Sequence, residues 1–133
     1  MTDESENPLE RLHVDADQIN RELLADALEG VIGIDEDSGE AKHLAGYTDL
    51  DNIEKFVARL LYRVAAVDLG HFEDDEVGAE SGAFGDVVGV DDSTIRQYVG
   101  KLDFVENESE RGGYYIPGYS LEAAVEFLQQ EDE

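Results

Sequence analysis

Arg96 and Gln97 are the residues of this 133-residue chain best suited to selective polar chemistry. Arginine can donate two hydrogen bonds to guanine O6 and N7, and glutamine can pair with adenine N6 and N7. Ser93, Thr94 and Lys101 lie close by and carry hydroxyl and ammonium groups suited to phosphate oxygens. Ile95, Val99 and Leu102 recur at helical spacing. A helix over Thr94–Leu102 therefore buries those three. It turns Ser93, Thr94, Arg96, Gln97, Gly100 and Lys101 outward, and Tyr98 partly so. Any solvated helix also has a polar face, so spacing alone does not separate base reading from simple solvation. Gly100 inside such a helix costs about 1 kcal/mol relative to Ala. A close approach by another backbone, of DNA or of a packed element, would account for it.

A second group is Lys55, Arg59 and Arg63, at i, i+4 and i+8 on the polar side of a long helix. One third of the nine basic residues thus falls within nine positions. The stripe suits phosphates or an acidic partner surface. The alternative is pairing within the chain, for example Asp51 with Lys55 at helical spacing. Arg111 stands beside Gly112-Gly113 in an otherwise acidic turn, Glu106–Gly113, and is a further phosphate candidate.

Other constellations are weak. Asp35-Glu36-Asp37-Ser38-Gly39 has the composition of a calcium loop, but its Gly comes one place early and position twelve is Gly46 rather than Glu. A hairpin turn is the better expectation. His13, His43 and His71 follow no metal-ligand spacing. Neither a Walker pattern nor GxGxxG occurs, and no Ser-His-Asp arrangement stands out. The expectation is a protein without catalytic residues, metal or cofactor.

The elements that must position these residues can be read from the pattern. Residues 1–14 are polar and charged and read as a mostly disordered acidic tail. Asp15–Glu29 reads as a helix with Ile19, Leu23, Ala27 and Leu28 on one face, Asp15 or Asp17 as cap and Gly30 as stop. Val31–Ile34 and Glu40–Leu44 flank the Asp35–Gly39 turn as a β-hairpin. Gly46–Thr48 is expected to be a loop, and Asp49 or Asp51 to cap a helix over Leu50–Leu69. Ile53, Phe56, Val57, Leu60, Leu61, Val64 and Val67 or Leu69 form its buried face. His71–Gly82 reads as an acidic surface loop. Phe84–Val88 is a short helical segment, Gly89–Asp92 a tight turn, and Asp92 or Ser93 the cap of the helix that follows. Phe104-Val105 starts a strand, Asn107–Gly113 turns, and Tyr114–Ile116 returns. Ser120 caps a last helix, Leu121–Gln129.

Short helix, turn, polar-faced helix and hairpin, in that order from Ala79 to Pro117, resemble a winged helix-turn-helix domain. The resemblance implies an α+β, mostly helical fold. The winged unit spans residues 49–130, with an N-terminal helix and β-hairpin extension at 15–48. It implies a regulator that binds double-stranded DNA, with the 92–102 helix in the major groove. Many winged helices bind only proteins, so an adaptor module in a larger complex is the alternative. A regulator is expected to pair as a homodimer. The C-terminal helix is the candidate surface, because Ala123 and Phe127 widen its apolar face.

Composition sets outer limits. The chain has no Cys, which excludes disulfides and thiolate chemistry. No run approaches a membrane span and no signal-peptide pattern opens the chain, so a cytoplasmic protein is expected. The 34 acidic residues give a net charge of −25 and are spread along the whole sequence. That distribution resembles haloarchaeal proteins, whose acidic surfaces stay hydrated in concentrated salt. At ~1 M salt the Debye length is only ~3 Å, so the charge does not by itself argue against DNA.

Overall fold

The elements are arranged around one helix, α3 (Asn52–Asp68), in a computed structural model that describes residues 8–12 and 20–129. A capping box starts α3. Asp51 Oδ1 accepts from the Glu54 amide at 3.0 Å, and Glu54 Oε1 accepts from the Asp51 amide at 2.9 Å. No Gly or Pro interrupts the helix until Gly70, which takes a φ of 89° just beyond it. Phe56, Val57, Ala58, Leu60 and Leu61 are all fully buried, so α3 is covered on more than one face.

Its cover comes from both ends of the chain. Helix α1 (Arg21–Leu28) is capped by Asn20, whose side chain accepts from the Leu23 amide at 3.1 Å. Strands β1 (Ile32–Ile34) and β2 (Ala41–His43) pair antiparallel, with Ile32 opposite His43 and Ile34 opposite Ala41. A one-turn helix, α2 (Ala45–Thr48), precedes α3. Beyond α3 come a 3₁₀ turn at Asp74–Glu76, then α4 (Ser81–Val88) and α5 (Asp92–Lys101). A second antiparallel hairpin follows, β3 (Glu106–Glu108) and β4 (Gly113–Tyr115), and α6 (Leu121–Gln129) closes the chain against α1 and α3. Ala79 bridges to Tyr114, so the segment before α4 lies beside β4. The fold is α+β and mostly helical.

Gly89 makes the turn between α4 and α5. It sits at φ 95°, in the left-handed region that favours glycine, and its amide donates to the Gly85 carbonyl at 2.7 Å. Gly113 serves a close approach: a Cβ there would lie 2.5 Å from the Ala79 carbonyl oxygen.

Several expectations are corrected. The first helix starts at Arg21 under Asn20, while Asp15, Asp17, Ile19 and His13 lie outside the described residues. In the 1–14 tail, Pro8–Leu12 forms a 3₁₀ helix and the remainder lies outside the described residues. Gly46–Thr48 is helical, because Tyr47 must turn inward: it is only 4% exposed and its ring stacks on His43 at 3.7 Å. Asp91 rather than Asp92 or Ser93 precedes α5, and no side chain caps it. The second hairpin begins at Glu106, since Phe104 is drawn into the core. Val67 rather than Leu69 continues the covered face of α3; Leu69 is 61% exposed. Phe127 does not give α6 a spare apolar face, because it is partly buried with its ring 5.9 Å from that of Phe104.

Because every layer rests on α3, loss of its cap should register globally. Asp51→Ala is expected to cost about 1 kcal/mol, read as a lower midpoint in guanidinium unfolding at constant salt.

Candidate functional site

Helix α5 is anchored by Ile95, which is fully buried, and by partly buried Tyr98 and Val99. This leaves Asp92, Ser93, Arg96, Gln97, Gly100 and Lys101 exposed, with Thr94 half-buried. Apart from Thr94, the outward set expected from the sequence is therefore together on one surface. Arg96 Nη1 contacts Asp92 Oδ2 at 3.2 Å and Ser81 Oγ at 3.3 Å. Both contacts are exposed, and pairs of that kind contribute at most about 1 kcal/mol. The guanidinium is thus held in place yet releasable. Nothing lies within 4 Å of a Cβ placed on Gly100, so no packed element of this chain explains that glycine.

The hairpin β3–β4 has a different character. Its tip is not a free solvated turn. The Gly78 amide donates to the Arg111 carbonyl at 2.7 Å, and Gly112 and Gly113 press against the backbone of residues 75–79. Beside it runs a groove of about 770 Å³, lined by Asp68, Asp74, Asp75, Glu106, Glu108 and Glu110. Arg111 also lines the groove, and its guanidinium lies 5.5 Å from the Tyr115 ring centroid. Such a wall repels phosphates. It unites acids of the 71–82 segment with acids of the hairpin, residues that sequence reasoning kept apart. Tyr115 is 5% exposed here, and burial, together with the Glu108 and Glu106 charges, pushes its phenol up to about 12.

The basic stripe on α3 is the largest surprise. No carboxylate forms an ion pair with Lys55, Arg59 or Arg63 among the described residues. The expected Asp51–Lys55 pair is absent because Asp51 is committed to the helix cap. Arg63 donates to three carbonyls, of Glu76 at 2.8 Å and of Val77 and Gly78 at 3.3 Å. Its guanidinium also lies 5.0 Å from the Phe72 centroid. Arg63 therefore fastens the 76–78 segment to α3 and is not a surface contact. Arg59 stands 4.9 Å over the Tyr62 ring, with Nη1 3.1 Å from His43 Nε2. Lys55 Nζ stands 5.5 Å over Tyr47. His43 and Tyr47 were missed from sequence. Their meeting with α3 is set by the hairpin's docking and leaves no local pattern.

Two outcomes follow. Arg63→Ala should cost about 2–3 kcal/mol, because charge-assisted bonds to three backbone oxygens are lost, whereas Lys55→Ala should change stability by less than about 0.5 kcal/mol; chemical denaturation separates them. A tyrosine whose folded pKa lies above the unfolded value of about 10 supports the fold fully below that pH. The contribution is lost as pH rises through about 12. Absorbance titration near 295 nm should show a late-ionising tyrosine that disappears in Tyr115→Phe.

No helix among the described residues is long and apolar enough to cross a membrane. Comparison of the chain with protein-family models, with curated proteins and with solved structures yields no match.

Proposed function

We propose that this chain is a winged helix-turn-helix protein that binds double-stranded DNA as a cytoplasmic transcriptional regulator, with α5 entering the major groove. The observation that carries the reading is the α5 surface. Ser93, Arg96, Gln97 and Lys101 stand exposed together on a helix whose opposite side is locked into the core. The connectivity supports it: long helix, bridging residue Ala79, α4, left-handed Gly89, α5, then a hairpin whose second strand lies beside Ala79. Winged helices have that order. Arg96 and Gln97 would read base edges, and Ser93, Thr94 and Lys101 would hold phosphates. Arg111 is the hairpin's candidate contact, in a setting of three glutamates that weakens it.

Concentrated salt suits this division of labour. It screens the acidic body from the duplex, and it also removes most of the affinity supplied by phosphate contacts. Base contacts must then carry more of the binding. Pairing of two copies would lengthen the read site.

The acidic hairpin and groove favour a second reading, a winged-helix adaptor that binds protein and not DNA. Selection of bound sequences from a random duplex library in concentrated KCl separates the two. Enrichment of one motif supports the regulator, and no enrichment by a folded protein supports the adaptor. Under the regulator reading, Arg96→Ala relaxes preference at one base pair by ~1–3 kcal/mol. Lys101→Ala weakens all sequences alike and lowers the salt slope by about 1. Gly100→Ala raises thermal stability by about 1 kcal/mol while weakening DNA binding, because only a duplex would come close enough to meet the new methyl.

A further inference from the structure

The site lies on the N-terminal side of α3, apart from the α5 surface. His43 on β2, Tyr47 on α2, and Lys55 and Arg59 on α3 come together there. The His43 and Tyr47 rings are stacked at 3.7 Å with an interplanar angle of 13°. Lys55 stands over one ring of that stack, and Arg59 touches the other through Nη1. Both cations act on His43 electrostatically. Burial, then Arg59, then Lys55 hold its imidazole below the usual histidine range.

Two further facts show that the cluster is incomplete. The Tyr47 hydroxyl and Arg59 Nε, like Glu54 Oε2 at the start of α3, are shut off from solvent and have no hydrogen-bond partner among the described residues. Buried polar groups are ordinarily satisfied, and a partly buried guanidinium is ordinarily paired. This chain has 34 carboxylates with which to pair it, and none of the described ones does so. Lys55 and Arg59 thus stand without an ion-pair partner among the described residues of a protein of net charge −25.

We propose that His43, Tyr47, Lys55 and Arg59 form a binding site for a phosphate group. Phosphate fits better than a carboxylate because three different donor groups are gathered on α2 and α3. Its several oxygens can accept from a guanidinium, an ammonium and a phenol together. His43 is the exposed member of the cluster. Arg63, the third member of the stripe, takes no part, since its donors are spent on backbone carbonyls. The proposal does not rest on the DNA-binding reading.

The test is a titration of inorganic phosphate followed by nitrogen–proton NMR at fixed ionic strength in KCl. The resonances to watch are Arg59 Nε–H and the His43 ring. A saturable one-to-one shift at both is expected. Lys55→Gln, which removes the charge over the Tyr47 ring, should weaken it on the order of fivefold, the equivalent of about 1 kcal/mol, while Lys101→Ala leaves it unchanged. A shift that never saturates, or that Lys55→Gln leaves intact, overturns the site. A short duplex added in place of phosphate identifies the source. Movement of the same two resonances points to a nucleic-acid backbone. Response to inorganic phosphate alone points to a small phosphorylated molecule. Should DNA binding through α5 fail, the phosphate titration still decides this site by itself.

Discussion

Enclosure of α3 is the constraint from which the rest follows. A helix in a small domain ordinarily keeps one side for water. Here Ala58 and Tyr62 are buried as thoroughly as Phe56 and Leu60, so the side bearing Lys55, Arg59 and Arg63 is also roofed. Long cationic side chains survive in such a place because their stems are apolar and their heads can be turned to rings and carbonyls. Arg63 makes this a structural asset. It draws in the backbone of residues 76–78, which in turn receives the Gly112–Gly113 corner of the hairpin. Arg63 thus adds to the apolar contacts, such as Phe56 against Phe84, that fix the hairpin and the start of α4 relative to α3.

That chain of contacts bears on how the two surfaces behave. On the α5 side the core holds the helix by Ile95 and leaves the opposite face free. On the hairpin side the docked tip and the acids around it create a surface hostile to phosphates. The molecule therefore has a sharply divided electrostatic landscape. Five of its nine basic residues lie on α3 and α5, while acids line the groove beside the second hairpin.

Much of this architecture was legible because it is local. The α3 stripe from Ile53 to Val67, the cap at Asp51 (one of the two expected), the first hairpin around Asp35–Gly39 and the glycine turn at Gly89 each depend on neighbours within a few residues. Asp35 shows the point well: its carboxylate accepts from the Ser38 amide at 2.8 Å, a turn written in sequence. What escaped depends on distant partners. Tyr47 reads as a loop residue until its ring is needed under His43. Arg63 reads as a surface cation until residues 76–78 come to it. The outward set on α5 was found because helical spacing alone fixes it. The His43–Tyr47–Lys55–Arg59 cluster was half found, because only its α3 members share a period.

The first hairpin has one more bearing. The Tyr62 hydroxyl donates to the Gly39 carbonyl at its turn, and His71 presses against the same glycine. A segment that looks like an appendage in the linear sequence is therefore stitched into the middle of the molecule. Residues of 20–48 and of 49–129 share one hydrophobic core. The hairpin therefore covers Tyr62, Arg59 and part of α3 that would otherwise face water.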